Sequence, residues 1–252
     1  MSSESSVTAD FEAGVFLIDK PVGPTSFAVV RQVRRVLGIK KVGHAGTLDP
    51  FASGLLIVCA GRPATKLISS FMDGEKEYLA TICLGRQTTT LDPEGQIVAE
   101  SRVDFRASSD IERCLEQFRG EQQQKPPAYS ALKHKGKPLY YYARQGIEIE
   151  KEPRTIQIHE LERIDGGGDI HGDFPELKLR VVCSKGTYIR TLAADIGDAL
   201  GCGAYLRELR RTRTGPFTLE KSFDGKLLSQ PEERDLLLQH MLCVEDVGKL
   251  LQ

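Results

Sequence analysis

The chain has 252 residues, of which 40% are hydrophobic and 27% are charged, and its formal net charge is −1. This composition excludes collagen-like, coiled-coil and wholly disordered proteins. The sequence has no run of the roughly 18 apolar residues that a transmembrane helix needs. The polar, acidic residues 1–10 do not resemble a secretory signal.

The first third of the chain predicts a short strand, an amphipathic helix and a loop. Residues 1–13 are expected to be a disordered tail, and the apolar run Gly14–Ile18 is typical of a strand. In Phe27–Leu37, apolar residues recur at helical spacing, and three arginines occupy the opposite face. The segment Lys40–Ser53 has no periodicity and many turn residues, so we expect a loop there.

Strands and helices then alternate along the rest of the chain. Strands are predicted at Leu55–Ala60, Glu77–Leu84, Gln96–Ala99, Thr155–Glu160, Glu176–Cys183 and Ala204–Thr212. Helices are predicted at Ala64–Phe71, Ile111–Phe118 (with a capping box at Ser109 and Glu112), Leu139–Gln145, Thr187–Leu200 and Glu232–Met241. The polar stretch 121–137 is long enough to suggest a functional loop. The pattern predicts an α+β fold with a central mixed or mostly antiparallel sheet flanked by helices.

Charge is segregated along the chain, so the near-neutral sum excludes little. Residues 20–41 contain six basic residues and no acidic one. Residues 178–213 carry eight basic residues against three acidic ones, and residues 125–154 carry seven against three. Acidic stretches elsewhere cancel these blocks. Such blocks are compatible with a nucleic-acid partner.

Six cysteines are present, at positions 59, 83, 114, 183, 202 and 243, and no pair has metal-ligand or redox spacing. Most lie in apolar runs. We therefore expect buried, reduced thiols and a cytoplasmic location.

The segment Gly43–Leu56 is the most unusual part of the sequence. Its glycines allow a close approach of the backbone to a ligand, and it contains His44 and Asp49. From the residue chemistry alone, Asp49 followed by Pro50 also fits an ordinary turn, and His44 fits a surface position.

The string Gly-His-Ala-Gly-Thr-Leu-Asp-Pro-x-Ala-Ser-Gly-Leu-Leu at residues 43–56 closely resembles the catalytic-loop motif of the TruB family of pseudouridine synthases. Further motifs of that family are matched in the same order at residues 19–26, 74–78, 126–133, 183–192 and 206–212. The resemblance covers about residues 14 to 220. It implies the pseudouridine synthase fold and isomerisation of uridine to pseudouridine at position 55, in the T-loop of tRNA.

The resemblance implies that Asp49 is the nucleophile of a reaction that detaches the base from C1′, turns it and rejoins it through C5. Whether Asp49 attacks the base or C1′, or removes a sugar proton, stays open. Arg190 is expected to pair with Asp49 and keep it ionised. Tyr78 is expected to stack on the flipped uracil and to help remove the C5 proton. These three are the predicted catalytic residues.

The resemblance also implies a set of substrate-binding residues, for some of which a purely structural role is the alternative. His44 is expected to fill the space that the flipped base leaves, and Tyr188 and Leu209 to line the pocket, although core packing is an alternative for the last two. Asp92 is expected to pair with the arginine network, and Lys20 to contact phosphate with the basic blocks. Tyr140-Tyr141-Tyr142 offers rings for loop bases, although at helical spacing at least one should pack inward.

By resemblance, residues 14–220 form the catalytic domain, with an RNA-gripping insertion at about 121–153. Residues 221–252 are then a short extension rather than a complete additional RNA-binding domain, by truncation or by nature. The expected partner is the tRNA T-arm stem-loop, bound by a monomer without membrane association, nucleotide cofactor, other cofactor or metal. The motifs favour the stand-alone bacterial branch over the guide-RNA-dependent, dyskerin-like branch.

Three other functions remain open at this point. The chain could be an RNA chaperone that has kept the fold, although Asp49, Tyr78 and Arg190 are all present. It could be a related synthase that acts on another RNA. It could also be a hydrolase that uses Asp49 with a metal, although no cluster with metal-ligand spacing supports this.

Overall fold

The computed structural model describes residues 11–147, 149–229 and 233–251. Most of the predicted disordered tail, residues 1–10, therefore lies outside the described residues, as does Glu232 at the start of the last predicted helix.

The described residues form strands and helices that alternate along the chain. The strands are β1 (Gly14–Lys20), β2 (Val42–Ala45), β3 (Ser53–Ala60), β4 (Lys76–Leu84), β5 (Arg86–Thr88), β6 (Ile97–Glu100), β7 (Val103–Arg106), β8 (Gly120–Gln124), β9 (Lys133–His134), β10 (Lys137–Pro138), β11 (Arg154–Arg163), β12 (Ile170–Gly172), β13 (Glu176–Cys183), β14 (Ala204–Thr214), β15 (Phe217–Thr218), β16 (Phe223–Asp224) and β17 (Met241–Leu242). The α-helices are α1 (Ser26–Leu37), α2 (Arg62–Thr65), α3 (Ile68–Asp73), α4 (Ser108–Glu116), α5 (Leu139–Ala143), α6 (Ile189–Ala199), α7 (Glu233–Gln239) and α8 (Val244–Leu250). Two 3₁₀ helices lie at Leu219–Lys221 and Gly225–Ser229.

The first helix shows why the sequence predicts the elements well. The Thr25 side chain caps α1 by accepting a hydrogen bond from the Ala28 amide at 3.0 Å. Gly38 ends the helix at φ +69°, a left-handed conformation that suits glycine. The buried face carries the valines at positions 29, 30, 33 and 36. The predicted amphipathic helix is confirmed.

The chain divides into two compact units. The first consists of residues 1–50, 54–72 and 217–252. Within it, β1 pairs antiparallel with β3 and β17 and parallel with β16, while β2 pairs with the other edge of β3. One core cluster packs α1 against this sheet, and a second surrounds Phe71 and Phe217.

The second unit consists of residues 51–53 and 73–216. Its strands β14, β4, β13, β11 and β8 lie side by side in that order, each antiparallel to its neighbours. Helix α6 packs on β14. The predicted α+β class with a mixed sheet is confirmed, since the first unit also contains a parallel strand pair.

Several local predictions are wrong. Residues 42–45 of the predicted loop form β2 because they pair with β3, and the predicted single helix at 64–71 is two short helices. The capping box does not form: α4 begins at Ser108, with Ala107 at the cap and no side-chain cap bond. The start of the predicted long loop is strand β8.

The six cysteines are all free thiols, and four of them are buried. Burial raises the pKa of Cys59 and of Cys183 to about 12. The expected buried, reduced thiols are confirmed for the four buried cysteines, while Cys202 is half-buried and Cys243 is exposed.

No helix among the described residues is long and apolar enough to cross a membrane.

Candidate functional site

The loop that carries Asp49 is held by backbone contacts on both sides of that residue. The buried Ser26 hydroxyl accepts a hydrogen bond from the Leu48 amide and donates one to the Leu48 carbonyl, both at 2.9 Å. On the other side, the Pro50 carbonyl accepts from the Gly23 amide at 2.8 Å. Asp49 itself is half-buried. The segment 19–26 therefore fixes the path of the loop through Asp49.

Lys20 belongs to this support and does not lie on a basic surface. Its side chain is 0% exposed, and its ammonium donates to the carbonyls of Pro21 and Pro24 at 2.9 Å and to that of Pro50 at 3.4 Å. The ammonium is therefore buried and bound to backbone oxygens, and contact of Lys20 with phosphate stays a prediction.

His44 lies on β2 near the start of the same loop. Its Nε2 is 3.2 Å from the hydroxyl of Thr47, and its ring is half-buried. This contact folds the loop back on itself. The role of His44 at the flipped nucleotide stays a prediction.

Arg190 is the centre of a buried cluster in the second unit. Its Nη1 donates to Asp92 Oδ2 at 2.8 Å and to the Thr90 carbonyl at 3.2 Å. Its Nη2 donates to the Tyr129 carbonyl at 2.6 Å. The two charged side chains are only 6% and 3% exposed. The predicted pairing of Asp92 with the arginine is confirmed, whereas pairing of Arg190 with Asp49 stays a prediction.

Asp92 also organises its own loop. Its Oδ1 accepts hydrogen bonds from the Thr90 hydroxyl and from the Glu94 amide, and its carbonyl accepts from the Thr88 hydroxyl at 2.7 Å. Both carboxylate oxygens are thus used. The negative charge that Arg190 requires is therefore held in a fixed position.

Tyr188, at the cap position before α6, is bound by a residue that the sequence analysis missed. The side-chain amide of Gln124 donates to the Tyr188 carbonyl at 3.0 Å and accepts from the Tyr188 amide at 2.8 Å. Ser26 was also missed as a support of the loop at Asp49. Gln124 ends a run of three glutamines, and Ser26 lies within a matched motif, but neither pattern indicates burial.

Tyr78 and Leu209 lie on one face of the second unit's sheet. Tyr78 is opposite Arg211 in the β4–β14 register, and Leu209 is opposite Ala80. Directly paired residues point to the same side of an antiparallel sheet, so these four side chains share a face. Tyr78 and Leu209 are each 9% exposed. Only a small part of each side chain is therefore accessible to solvent.

Lys76 lies on the same strand face, two residues before Tyr78, and is buried. Desolvation, together with the nearby Arg211 guanidinium, lowers the pKa of Lys76 to about 8. The charge state of this lysine therefore changes within the range of ordinary assay buffers.

Many residues of the basic blocks have carboxylate partners. Arg35 of α1 pairs with Glu233, and Arg34 donates to the Val42 carbonyl. In the late block, ion pairs join Arg180 to Glu77, Glu160 and Glu162, Arg207 to Glu176, Arg213 to Glu75 and Lys185 to Asp73. The late block is therefore less available to phosphates than its sequence charge indicates.

The segment 125–147 keeps an exposed basic and aromatic surface. The ammonium of Lys137 lies 4.1 Å from the centre of the Tyr141 ring, and Arg144 lies over the Tyr140 ring at 5.5 Å. Tyr142 instead packs against His134 and donates its hydroxyl hydrogen to the His134 carbonyl at 3.1 Å. Tyr142 is half-buried, whereas Tyr140 and Tyr141 are exposed, so the expectation that at least one of the three packs inward is met only in part.

Within residues 11–147, 149–229 and 233–251, no group of three or more His, Cys, Asp or Glu side chains is arranged to hold a metal ion.

Two family models match the chain. The first describes the N-terminal domain of the TruB family pseudouridylate synthases and matches residues 34–189. The second describes the C-terminal domain of tRNA pseudouridylate synthase B and matches residues 190–248. Together they cover most of the chain, including Asp49, Tyr78 and Arg190.

Two curated relatives match this chain over most of their own length. The chain is 62% identical over 243 residues to tRNA pseudouridine synthase B of Desulfotalea psychrophila, covering 96% of this chain and 98% of that protein. It is 46% identical over 219 residues to tRNA pseudouridine synthase B of Chlamydia trachomatis serovar L2, covering 87% and 88%.

Solved structures agree with this similarity. A Cbf5–Nop10–Gar1 complex matches with a TM-score of 0.69 and 31% identity, over 94% of this chain and 62% of that one. An H/ACA RNP bound to a substrate RNA containing 2′-deoxyuridine matches with a TM-score of 0.66 and 29% identity, over 94% and 61%. This chain thus spans less than two thirds of the chains in those structures.

Proposed function

We propose that this chain, which belongs to the TruB family of pseudouridine synthases, converts the uridine at position 55 of tRNA to pseudouridine. The family makes it a tRNA pseudouridine synthase, an isomerase. The observation that carries the proposal is the 62% identity, over 98% of its length, to a relative named tRNA pseudouridine synthase B. The modified position in the T-loop and the roles of individual residues are our proposals.

The reaction needs no net oxidant or reductant, because substrate and product have the same composition. The C1′–N1 bond breaks, the uracil turns, and a C1′–C5 bond forms. The C5 proton is then lost and N1 gains a proton. The protein must take the base out of the loop, supply a carboxylate beside the sugar and assist the last proton transfer.

We assign Asp49 as that carboxylate. Its neighbours Leu48 and Pro50 are held through Ser26, Lys20 and Gly23, so the loop has little freedom to move the side chain away. A preorganised nucleophile loses little entropy on reaching the reactive geometry.

We assign Arg190 as the cation that keeps Asp49 ionised and oriented. The guanidinium is buried, and its other contacts to Asp92, Thr90 and Tyr129 define its plane. In a site of low dielectric constant, a fixed positive charge favours the ionised form of a nearby carboxylate. Tyr78 is assigned to stack on the flipped uracil and to help remove the C5 proton, with His44, Tyr188 and Leu209 around the flipped nucleotide.

Binding of the T-arm is proposed to use the exposed basic and aromatic surface of residues 125–147. Lys133, Lys135 and Lys137 are exposed there, beside Tyr140 and Tyr141. Phosphate contacts of this kind make the affinity fall steeply with salt. The similarity to a solved H/ACA RNP with a bound substrate RNA supports an RNA partner for this fold. We expect a monomeric, cytoplasmic enzyme.

A direct test uses an unmodified T-arm stem-loop RNA and the purified chain, in buffer with EDTA and without nucleotide. We expect pseudouridine at the position equivalent to 55 and at no other uridine. Formation at another uridine would keep the family and overturn the assigned position. Tight binding without any pseudouridine would instead favour the RNA-chaperone function.

A further inference from the structure

Gln124 makes an unusual pair of contacts with the start of helix α6. It ends strand β8 and is only 5% exposed, whereas Gln123 beside it is exposed. Its Nε2 donates to the Tyr188 carbonyl at 3.0 Å, and its Oε1 accepts from the Tyr188 amide at 2.8 Å. A primary amide has the donor and acceptor of a peptide group, so Gln124 pairs with Tyr188 as a neighbouring strand would.

Tyr188 is the residue from which α6 begins. Its backbone is extended, at φ −99° and ψ 105°, and it has no side-chain cap bond. Its carbonyl also accepts the hydrogen bond of the Leu192 amide at 3.1 Å. A carbonyl oxygen accepts two hydrogen bonds, so Gln124 and the helix share it. Gln124 therefore holds the backbone of Tyr188, the residue that precedes the first turn of α6.

Arg190 is the second residue of α6, two positions after Tyr188. Its guanidinium is held by Asp92, and by Tyr129, which follows Gln124 by five residues in the same segment. The segment 124–129 thus makes contact at two places: Gln124 binds the backbone of Tyr188, just before α6, and the Tyr129 carbonyl binds the guanidinium of Arg190. Both contacts must be met for the guanidinium to lie in this place.

We propose that Gln124 is a positioning residue that aims Arg190 at the reacting nucleotide; this rests on the proposed function, in which Arg190 orients the nucleophile. Gln124 does not touch the substrate itself. A displacement of about 1 Å in a catalytic group can cost about 100-fold in rate. Loss of the amide should therefore lower the chemical rate more than the affinity for RNA.

The test compares the kcat of Gln124→Met with that of Gln123→Met at saturating T-arm stem-loop, and the RNA Kd of each variant is measured separately. Methionine has similar length and no amide. Gln123 is the matched control, since it lies on the same strand, is exposed and donates from its side-chain amide to the Thr155 hydroxyl at 2.8 Å. We expect Gln124→Met to lower kcat about 10- to 100-fold, with an RNA Kd within about threefold of wild type. We expect Gln123→Met to stay within about twofold in both.

A second comparison separates positioning from a general loss of stability. In an Asp92→Asn background the tip of Arg190 is already loosened, so Gln124→Met should cost less than about threefold further in kcat. If the loss of kcat in the double variant instead equals the product of the losses in the two single variants, the proposal is overturned. If Gln124→Met does not fold, Gln124→Asn replaces it, because asparagine keeps the donor and the acceptor of the amide and draws them back by one methylene.

Each outcome has one meaning. Equal kcat values for Gln124→Met and Gln123→Met, in an active wild-type background, would overturn this inference alone. A parallel loss of kcat and RNA affinity would also overturn it, since that result indicates general damage. A wild-type chain that forms no pseudouridine would overturn the proposed function, and this inference with it.

Discussion

Replacement of Asp92 by asparagine tests whether the buried Arg190–Asp92 pair organises the site. The amide has the shape of the carboxylate and can still accept from the Glu94 amide, as Oδ1 does now at 3.0 Å. Its NH₂ group, however, would face the Arg190 Nη1 that now lies 2.8 Å from Oδ2. The change thus removes the charge and places donor against donor.

The size of the effect follows from burial. The two side chains are 6% and 3% exposed, so water cannot replace the lost partner. Breaking a buried ion pair by removing one partner costs about 3–5 kcal/mol, which is a large part of the roughly 5–15 kcal/mol that stabilises a typical domain. For a chain of this size, each kcal/mol shifts Tm by about 2–4 °C, so we expect a loss of about 6–20 °C.

The assay combines thermal or urea unfolding with steady-state pseudouridylation at saturating RNA. We expect the asparagine variant to lose stability and to lower kcat about 10- to 100-fold at a temperature where it stays folded. The control is Asp110→Asn, because Asp110 forms an exposed pair with Arg113 at 3.2 Å. That change should cost less than about 0.5 kcal/mol. A stability within about 1 kcal/mol of wild type, with unchanged kcat, would show that the Arg190–Asp92 pair does not organise the site.

Two further changes test other parts of the structure. Ser26→Ala removes both hydrogen bonds to the Leu48 backbone. We therefore expect a loss of about 1–3 kcal/mol in the free energy of urea unfolding and at least about a tenfold fall in kcat. A kcat equal to wild type would show that the loop at Asp49 does not depend on the Ser26 hydrogen bonds. Lys76→Met probes a lysine whose pKa falls to about 8 on folding, from an ordinary value of 10.5. Because the unfolded chain binds more protons between pH 8 and pH 10.5, the lysine lowers the stability of the wild type below pH 8, and this penalty fades as the pH rises. The stability difference between Lys76→Met and wild type should therefore shift by up to about 3 kcal/mol in favour of wild type between pH 7 and pH 10.5, and a constant difference would contradict the lowered pKa.

The sequence predicts the main elements because their signals are local. Helix α1 has a capping threonine, a valine face and a terminal glycine, and strand β13 spans the predicted residues 176–183. Strand β2 was missed because only its pairing with β3 makes residues 42–45 extended. The capping box failed at α4 because Ser108 already lies inside the helix, which no local pattern reveals.

The candidate site was predicted in part. The motifs identify Asp49, Tyr78 and Arg190, and they anticipate the Asp92 partner. They do not show that Lys20 is buried among backbone carbonyls. A positive residue looks the same in a sequence whether it binds a ligand or the backbone, and only burial and hydrogen bonds distinguish the two.

The division into two units and the supporting residues could not be predicted from the sequence. The first unit combines residues 54–72 with residues 217–252, which are far apart in the chain. The contact between Gln124 and Tyr188 likewise joins residues 64 positions apart. Local periodicity carries no information about such long-range contacts.

The most direct test of the central claim is the conversion of an unmodified T-arm stem-loop by Asp49→Asn, measured beside wild type with the RNA affinity of both. We expect the wild type to form pseudouridine at the position equivalent to 55, and the variant to form none within the assay. We expect both to bind the RNA with a Kd equal within about threefold, because the change leaves the RNA-binding surface intact. A variant with wild-type turnover would contradict the assignment of Asp49 as the catalytic carboxylate.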